Sequence, residues 1–95
     1  MKIEVSGQVL AFIHQLAPEP RKMVRLALKK LATGQGDVRA LEADLAGFYR
    51  LRITRYRIIF HYVFKGGQRI LRCEFAEERS LVYQLYAEMV RHMKF

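Results

Sequence analysis

Apolar positions recur along the chain at alternate residues, then at helical spacing, then at alternate residues again. "MKIEV" puts Ile3 and Val5 on one side and Lys2 and Glu4 on the other, which predicts a short first strand. Ser6 is placed to cap a helix beginning at Gly7. In "GQVLAFIHQL", Val9, Phe12, Ile13 and Leu16 form one apolar stripe, the mark of an amphipathic helix. "APEP" interrupts it, because proline opens a helix but does not continue one. "RKMVRLALKKLATG" then predicts a second helix, with Met23, Val24, Ala27, Leu28 and Leu31 inward and Arg21, Lys22, Arg25, Lys29 and Lys30 outward. The short link between the two predicts an antiparallel helical hairpin.

"QGDVRALEADLAG" has no strong period and reads as a connection with one helical turn at Leu41 and Leu45. From Phe48 the alternation returns. Tyr49, Leu51 and Ile53 point one way, and Phe48, Arg50, Arg52 and Thr54 the other. "YRIIFHYVF" is apolar on both faces, as expected of a central strand. The break near Arg55 requires a tight turn, although neither glycine nor asparagine is present to make it. "KGGQ" predicts a hairpin turn, and "RILRCEF" a further strand with Leu71, Cys73 and Phe75 facing the core. "ERSLVYQLYAEMVRHM" returns to helical spacing through Val82, Tyr86, Met89 or Val90, and Met93. The predicted order is β-α-α-β-β-β-α. It describes an α+β fold: an N-terminal helical hairpin packed on a mainly antiparallel four-stranded sheet, followed by a C-terminal helix.

The length of 95 residues fits one domain, residues 1–95. A hydrophobic fraction of 52% excludes the disordered class. The single cysteine, Cys73, allows neither an internal disulfide nor a thiolate zinc site, and it reads as a small buried hydrophobe in a reducing compartment. No apolar run spans a bilayer and the N-terminus lacks the pattern of a signal peptide, so the expectation is a soluble cytoplasmic protein with no membrane partner. His14, His61 and His92 lack metal-ligand spacing, so no metal and no cofactor is expected. His61 alone shares a strand face with an arginine, Arg57.

Charge changes the picture more. The net charge is +8, which favours polyanionic partners. Arg50, Arg52, Arg55 and Arg57 crowd into eight residues, and no acidic residue stands between Phe48 and Phe64. Arg50 and Arg52 share a strand face, and Arg57 joins them if the turn holds the register. Three guanidinium groups on one face repel one another unless an anion sits among them, and their forks match phosphate oxygens. The alternative is that they splay to solvent or pair with Glu42, Asp44, Glu74 or Glu77.

"LEADLAGFYRLRITRYRIIFHYV" followed by "EERSLVYQLY" resembles the RelE/ParE superfamily of bacterial toxins from toxin–antitoxin pairs. The resemblance rests on Leu45, Gly47, Tyr49-Arg50-Leu51-Arg52, Tyr56-Arg57 and Arg79-Ser80-Leu81-Val82-Tyr83, together with the order of elements, and covers nearly the whole chain. It implies a metal-independent endoribonuclease that enters the ribosomal A site and cuts messenger RNA there, so inhibiting translation. In that reaction the 2′-hydroxyl attacks the neighbouring phosphate. The ParE-type alternative is a toxin that inhibits DNA gyrase and cuts nothing. Either kind is silenced by a cognate antitoxin, here expected to bind through an acidic segment. The implied catalytic set is Arg50, Arg52, Arg57 and Tyr83, the last stacking on a messenger base. Arg79 matches a further basic position. Arg55, His61, Lys29 and Lys30 complete the expected RNA contacts. Two departures stand out. The paired positions Arg50 and Arg52 are lysines in the best-known RelE pattern, and arginine is a poor general base. Glu77 occupies a position where a basic residue is expected, and it joins the set as a candidate base, ahead of Glu74 and His61.

Overall fold

The computed structural model describes residues 1–93. The strands are β1 (Ile3–Val5), β2 (Asp37–Ala40), β3 (Tyr49–Ile53), β4 (Tyr56–Lys65) and β5 (Gln68–Glu78), and the helices are α1 (Gly7–Gln15), α2 (Pro18–Leu31) and α3 (Val82–Met93). They form one sheet in the order β1-β5-β4-β3-β2, with β1 parallel to β5 and every other pairing antiparallel. The sheet therefore has five strands, not four. The additional one is β2, in the stretch expected to be a connection. Its sequence, Asp37-Val38-Arg39-Ala40, alternates polar and apolar over only four residues, and all four are exposed, so neither side is a buried one.

The helical hairpin covers one face. Val9, Phe12 and Ile13 of α1 and Val24 and Leu31 of α2 pack on Leu51, Ile58, Phe60, Leu71 and Cys73 of the sheet. Met23, expected inward, is exposed. Arg21 is not purely an outer-face charge: its Nη2 donates to the carbonyls of His14 and Leu16 and so caps the end of α1. The start of α1 is capped as expected, with Val9 N–H donating to Ser6 Oγ at 3.2 Å. The same hydroxyl donates to the carbonyl of Glu74, and the Gln8 amide donates to the Ala76 carbonyl and accepts from its N–H. Where β1 stops, the first residues of α1 thus continue to satisfy the outer edge of β5.

The opposite face carries α3. Val82, Tyr86 and Val90 pack with Leu45, Ile59 and Phe75 in a second cluster. Met89 is exposed, and the side chain of Met93 lies outside the described residues. Phase changes within β5. Ile59 pairs with Phe75 but Phe60 pairs with Cys73, so Glu74 is an extra residue, a β-bulge. Leu71 and Cys73 face the helical hairpin, whereas Phe75 belongs to the α3 side and not to the same core face as expected. The turn between β3 and β4 holds Thr54 at φ 52°, a left-handed conformation unusual for a β-branched residue. Gly66 and Gly67 supply the positive φ of the β4–β5 hairpin.

Candidate functional site

The site grows from the pairing of β3 with β4. Arg52 is opposite Arg57 and Arg50 is opposite Ile59, so all three arginines stand on the face that carries α3, as expected from alternation. On β5, Glu77 is opposite Arg57. On β2, Asp37 is opposite Arg52 and Arg39 opposite Arg50. Four strands thus bring four cations and two carboxylates onto one end of one face.

These arginines are not equivalent. Arg50 is only 8% exposed and Arg57 7%, whereas the side chain of Arg52 is 52% exposed. Arg50 Nη1 donates to Asp37 Oδ1 at 3.1 Å and to the Asp37 carbonyl at 2.9 Å. Asp37 Oδ2 lies 4.0 Å from Arg52 Nη1, so one carboxylate ties the paired arginines together. Arg57 Nη1 donates to the carbonyls of Thr54 (2.7 Å) and Tyr56 (2.8 Å), which folds the side chain back over the β3–β4 turn. The carbonyls satisfy only part of a guanidinium with five N–H groups, and they leave its charge uncompensated. Glu77 is half-buried, and its Oε1 accepts from the Glu78 N–H.

Tyr83, in the first turn of α3, is half-buried against the second cluster. Arg79 is exposed, and its backbone N–H donates to the Arg55 carbonyl at 2.9 Å, joining the end of β5 to the β3–β4 turn. Arg50, Arg52, Arg57 and Glu77 are therefore brought together on the sheet, with Tyr83 and Arg79 on the segment just after Glu77. Other expected contacts are not. Arg55 turns away: its Nη2 donates to Tyr56 Oη, and that ring belongs to the hairpin-side core. His61 sits two positions beyond Ile59. There its Nε2 and Glu74 Oε2 share a hydrogen bond of 2.8 Å, and its ring stacks on Phe48 at 4.7 Å. Glu74 also accepts from Arg72 Nε, and Arg72 in turn reaches Glu4, whose other partner is Lys65. Lys65 first, and Arg72 with it, hold the Glu4 carboxyl below its usual range. His61 and Glu74 thus form part of a network tying β1, β4 and β5 together. Lys29 and Lys30 end α2, on the far side of the sheet.

Asp37 is the residue that sequence reasoning missed. None of Glu42, Asp44, Glu74 or Glu77 pairs with Arg50, Arg52 or Arg57 within salt-bridge distance among the described residues; Asp37 does. Its one sequence signal is the alternation Asp37–Arg39, which becomes meaningful only once β2 is known to be a strand.

A similar arrangement of sheet and helices occurs in three solved structures. A YoeB/ParE toxin from Agrobacterium tumefaciens superposes with a TM-score of 0.65 at 17% identity, covering 83% of this chain and 99% of that one. The fold is that of the RelE/ParE toxins. The RelB–RelE antitoxin–toxin complex of Methanococcus jannaschii gives a TM-score of 0.60 at 16% identity, over 87% of this chain and 98% of its match. The RelBE2 toxin–antitoxin complex of Mycobacterium tuberculosis gives 0.58 at 17%, over 82% and 96%. No family profile and no curated protein sequence matches the chain. In this RelE/ParE fold the arginine-bearing strands form the middle and one edge of the sheet, and no helix among the described residues is long and apolar enough to cross a membrane.

Proposed function

We propose that the protein is the toxin of a toxin–antitoxin pair, and that it cuts messenger RNA in the ribosomal A site. The observation that carries this reading is the face on which Arg50, Arg52 and Arg57 converge with the carboxylates of Asp37 and Glu77. In the cleavage, a carboxylate takes the proton of the 2′-hydroxyl and the 2′-oxygen bonds to phosphorus. The bond to the 5′-oxygen breaks, leaving a 2′,3′-cyclic phosphate, and the departing oxygen takes a proton from water. Glu77 is the proposed base, since Asp37 is already committed to Arg50. The arginines stabilise charge on the phosphorane as it develops. Tyr83 stacks on a messenger base, and Arg79 adds a phosphate contact beside it. All of this is residue chemistry with no cofactor.

The proposed antitoxin has an apolar stripe to cover: Leu81, Leu85 and Met89 project into solvent along α3 and the residue before it, one turn apart. Two of the solved structures with this fold are toxin–antitoxin complexes.

A second reading, inhibition of DNA gyrase without cleavage, draws support from Glu77 and from Arg57 being bound to its own turn. The test is to add the protein to programmed ribosomes and map messenger ends by primer extension, with naked RNA as control. Cuts at A-site codons on ribosomes alone support the endonuclease. Intact messenger with folded protein rejects it, and gyrase supercoiling is then assayed.

A further inference from the structure

The end of the β4–β5 hairpin lies far from the arginine face, and its side chains have no part in the chemistry above. Lys65 lies eight residue steps beyond Arg57 along β4, about 26 Å at strand spacing. Phe64 stands there with 74% of its surface exposed, the most of any large apolar residue among those described. Core packing does not explain it, because Phe64 belongs to neither apolar cluster.

Its surroundings are specific. Phe64 is directly opposite Arg69 across the hairpin. The Arg69 guanidinium lies over the Tyr62 ring, 3.9 Å from its centroid. Tyr62 and Phe64 are alternate residues of one strand and share a face. The tip therefore presents one open ring, Phe64, next to Tyr62, whose face Arg69 covers and which packs against Tyr49 and Phe60. No acidic residue occurs from Tyr62 to Arg72. Lys65 is held by Glu4, so the cation available to a ligand at the tip is Arg69.

We infer that Phe64 and Arg69 form a second contact for single-stranded RNA, in which one unpaired base stacks on Phe64 while Arg69, held in place over Tyr62, meets the adjacent phosphate. Exposed aromatic rings beside a cation, on a strongly basic chain, are the elements by which single strands are held without sequence readout. An acidic protein segment would satisfy Arg69 but gives no reason for an exposed flat ring beside it. The inference deepens the proposed function, since it takes RNA as the target, but it concerns binding and not cutting.

The test separates the two. A fluorescent oligouridine decamer with 2′-O-methyl riboses cannot be cut by 2′-hydroxyl attack, so its anisotropy reports binding alone. Stacking energies of about 1–3 kcal/mol per base predict that Phe64→Ala weakens binding roughly 5- to 150-fold with little change in salt dependence. Phe64→Trp should restore it. Arg69→Ala should weaken binding and lower the salt slope by about one. Circular dichroism melts check that each variant is folded. Unchanged binding by Phe64→Ala, or failure of Phe64→Trp to restore it, overturns the inference. So does an oligoglutamate peptide that binds with the same dependence on Phe64, which would reassign the tip to an acidic protein. Cleavage on ribosomes with no role for Phe64 in binding removes only the tip contact. Phe64-dependent binding without cleavage removes only the endonuclease.

Discussion

Asp37 holds Arg50 twice, through its carboxylate at 3.1 Å and its own carbonyl at 2.9 Å. The carboxylate therefore occupies part of the guanidinium that a phosphate would use. Asp37→Asn removes the charge and keeps the carbonyl contact. RNA should bind more tightly and with a steeper salt dependence, because two arginines lose their internal counter-charge. Cleavage should slow, because Arg50 and Arg52 are no longer tied to a common point. Anisotropy titrations at two salt concentrations and single-turnover cleavage on ribosomes measure the two effects separately.

Glu77→Gln keeps the shape of the side chain and removes its capacity to take a proton. If Glu77 is the base, the cleavage step falls by about 10²- to 10⁴-fold with RNA binding retained or strengthened. Wild-type cleavage by this variant eliminates Glu77 and leaves Asp37 as the carboxylate nearest the arginines, with Glu74 beside His61 further along the face.

Arg57→Ala should both stop cleavage and cost stability. Its guanidinium is buried and donates to the carbonyls of Thr54 and Tyr56. Losing those bonds and the packing of the side chain should cost about 1–3 kcal/mol. Arg57→Lys retains charge but not the fork, so it should recover part of the stability and little of the activity. Urea unfolding of the three proteins gives the ranking.

Thr54 holds the same turn at a φ of 52°. A left-handed conformation costs an L-residue roughly 1–2 kcal/mol, and glycine offsets part of the relief through a more flexible unfolded chain. Thr54→Gly should therefore stabilise the protein by about 0.5–1 kcal/mol, seen as a rise of several degrees in Tm.

Two groups predict alkaline instability. Burial pushes the Cys73 thiol from 9.0 up to about 12 and the Tyr86 hydroxyl from 10.0 up to about 12. Both are thus neutral in the fold at pH values where the unfolded chain ionises. Their contribution is fully present below pH 9 and is lost as pH rises from about 9 to about 12. Cys73→Ala should delay the onset of that loss by about one pH unit, to where Tyr86 begins to ionise in the unfolded chain, despite a lower stability at neutral pH. For the same reason the folded wild type should react slowly with a disulfide reagent at about pH 8.

The sequence made the shared face of Arg50 and Arg52 legible, because residues two apart on a strand must lie together. It also made the helical hairpin and the β4–β5 turn legible, since Val9, Phe12, Ile13 and Gly66-Gly67 are strong local signals. It did not disclose β2, because four alternating residues on an exposed edge are too short a run and bury neither side. With β2 hidden, Asp37 looked like a loop acid distant from the arginines. Nor could spacing separate Arg50, buried and twice hydrogen-bonded by Asp37, from Arg52, half exposed at the rim of the same carboxylate.

The bulge at Glu74 has a consequence for how such a chain can change over generations. Leu71 and Cys73 before it serve the helical hairpin, and Phe75 and Glu77 after it serve the α3 side. Loss of the single codon for Glu74 would remove the extra residue and join Cys73 to Phe75 in regular alternation, so that Phe75, Ala76 and Glu77 all keep the faces they have now. A one-residue deletion at the bulge is thus absorbed by the strand, and what the chain loses is the contact of Glu74 with His61 and Arg72 rather than the division of β5 between scaffold and site.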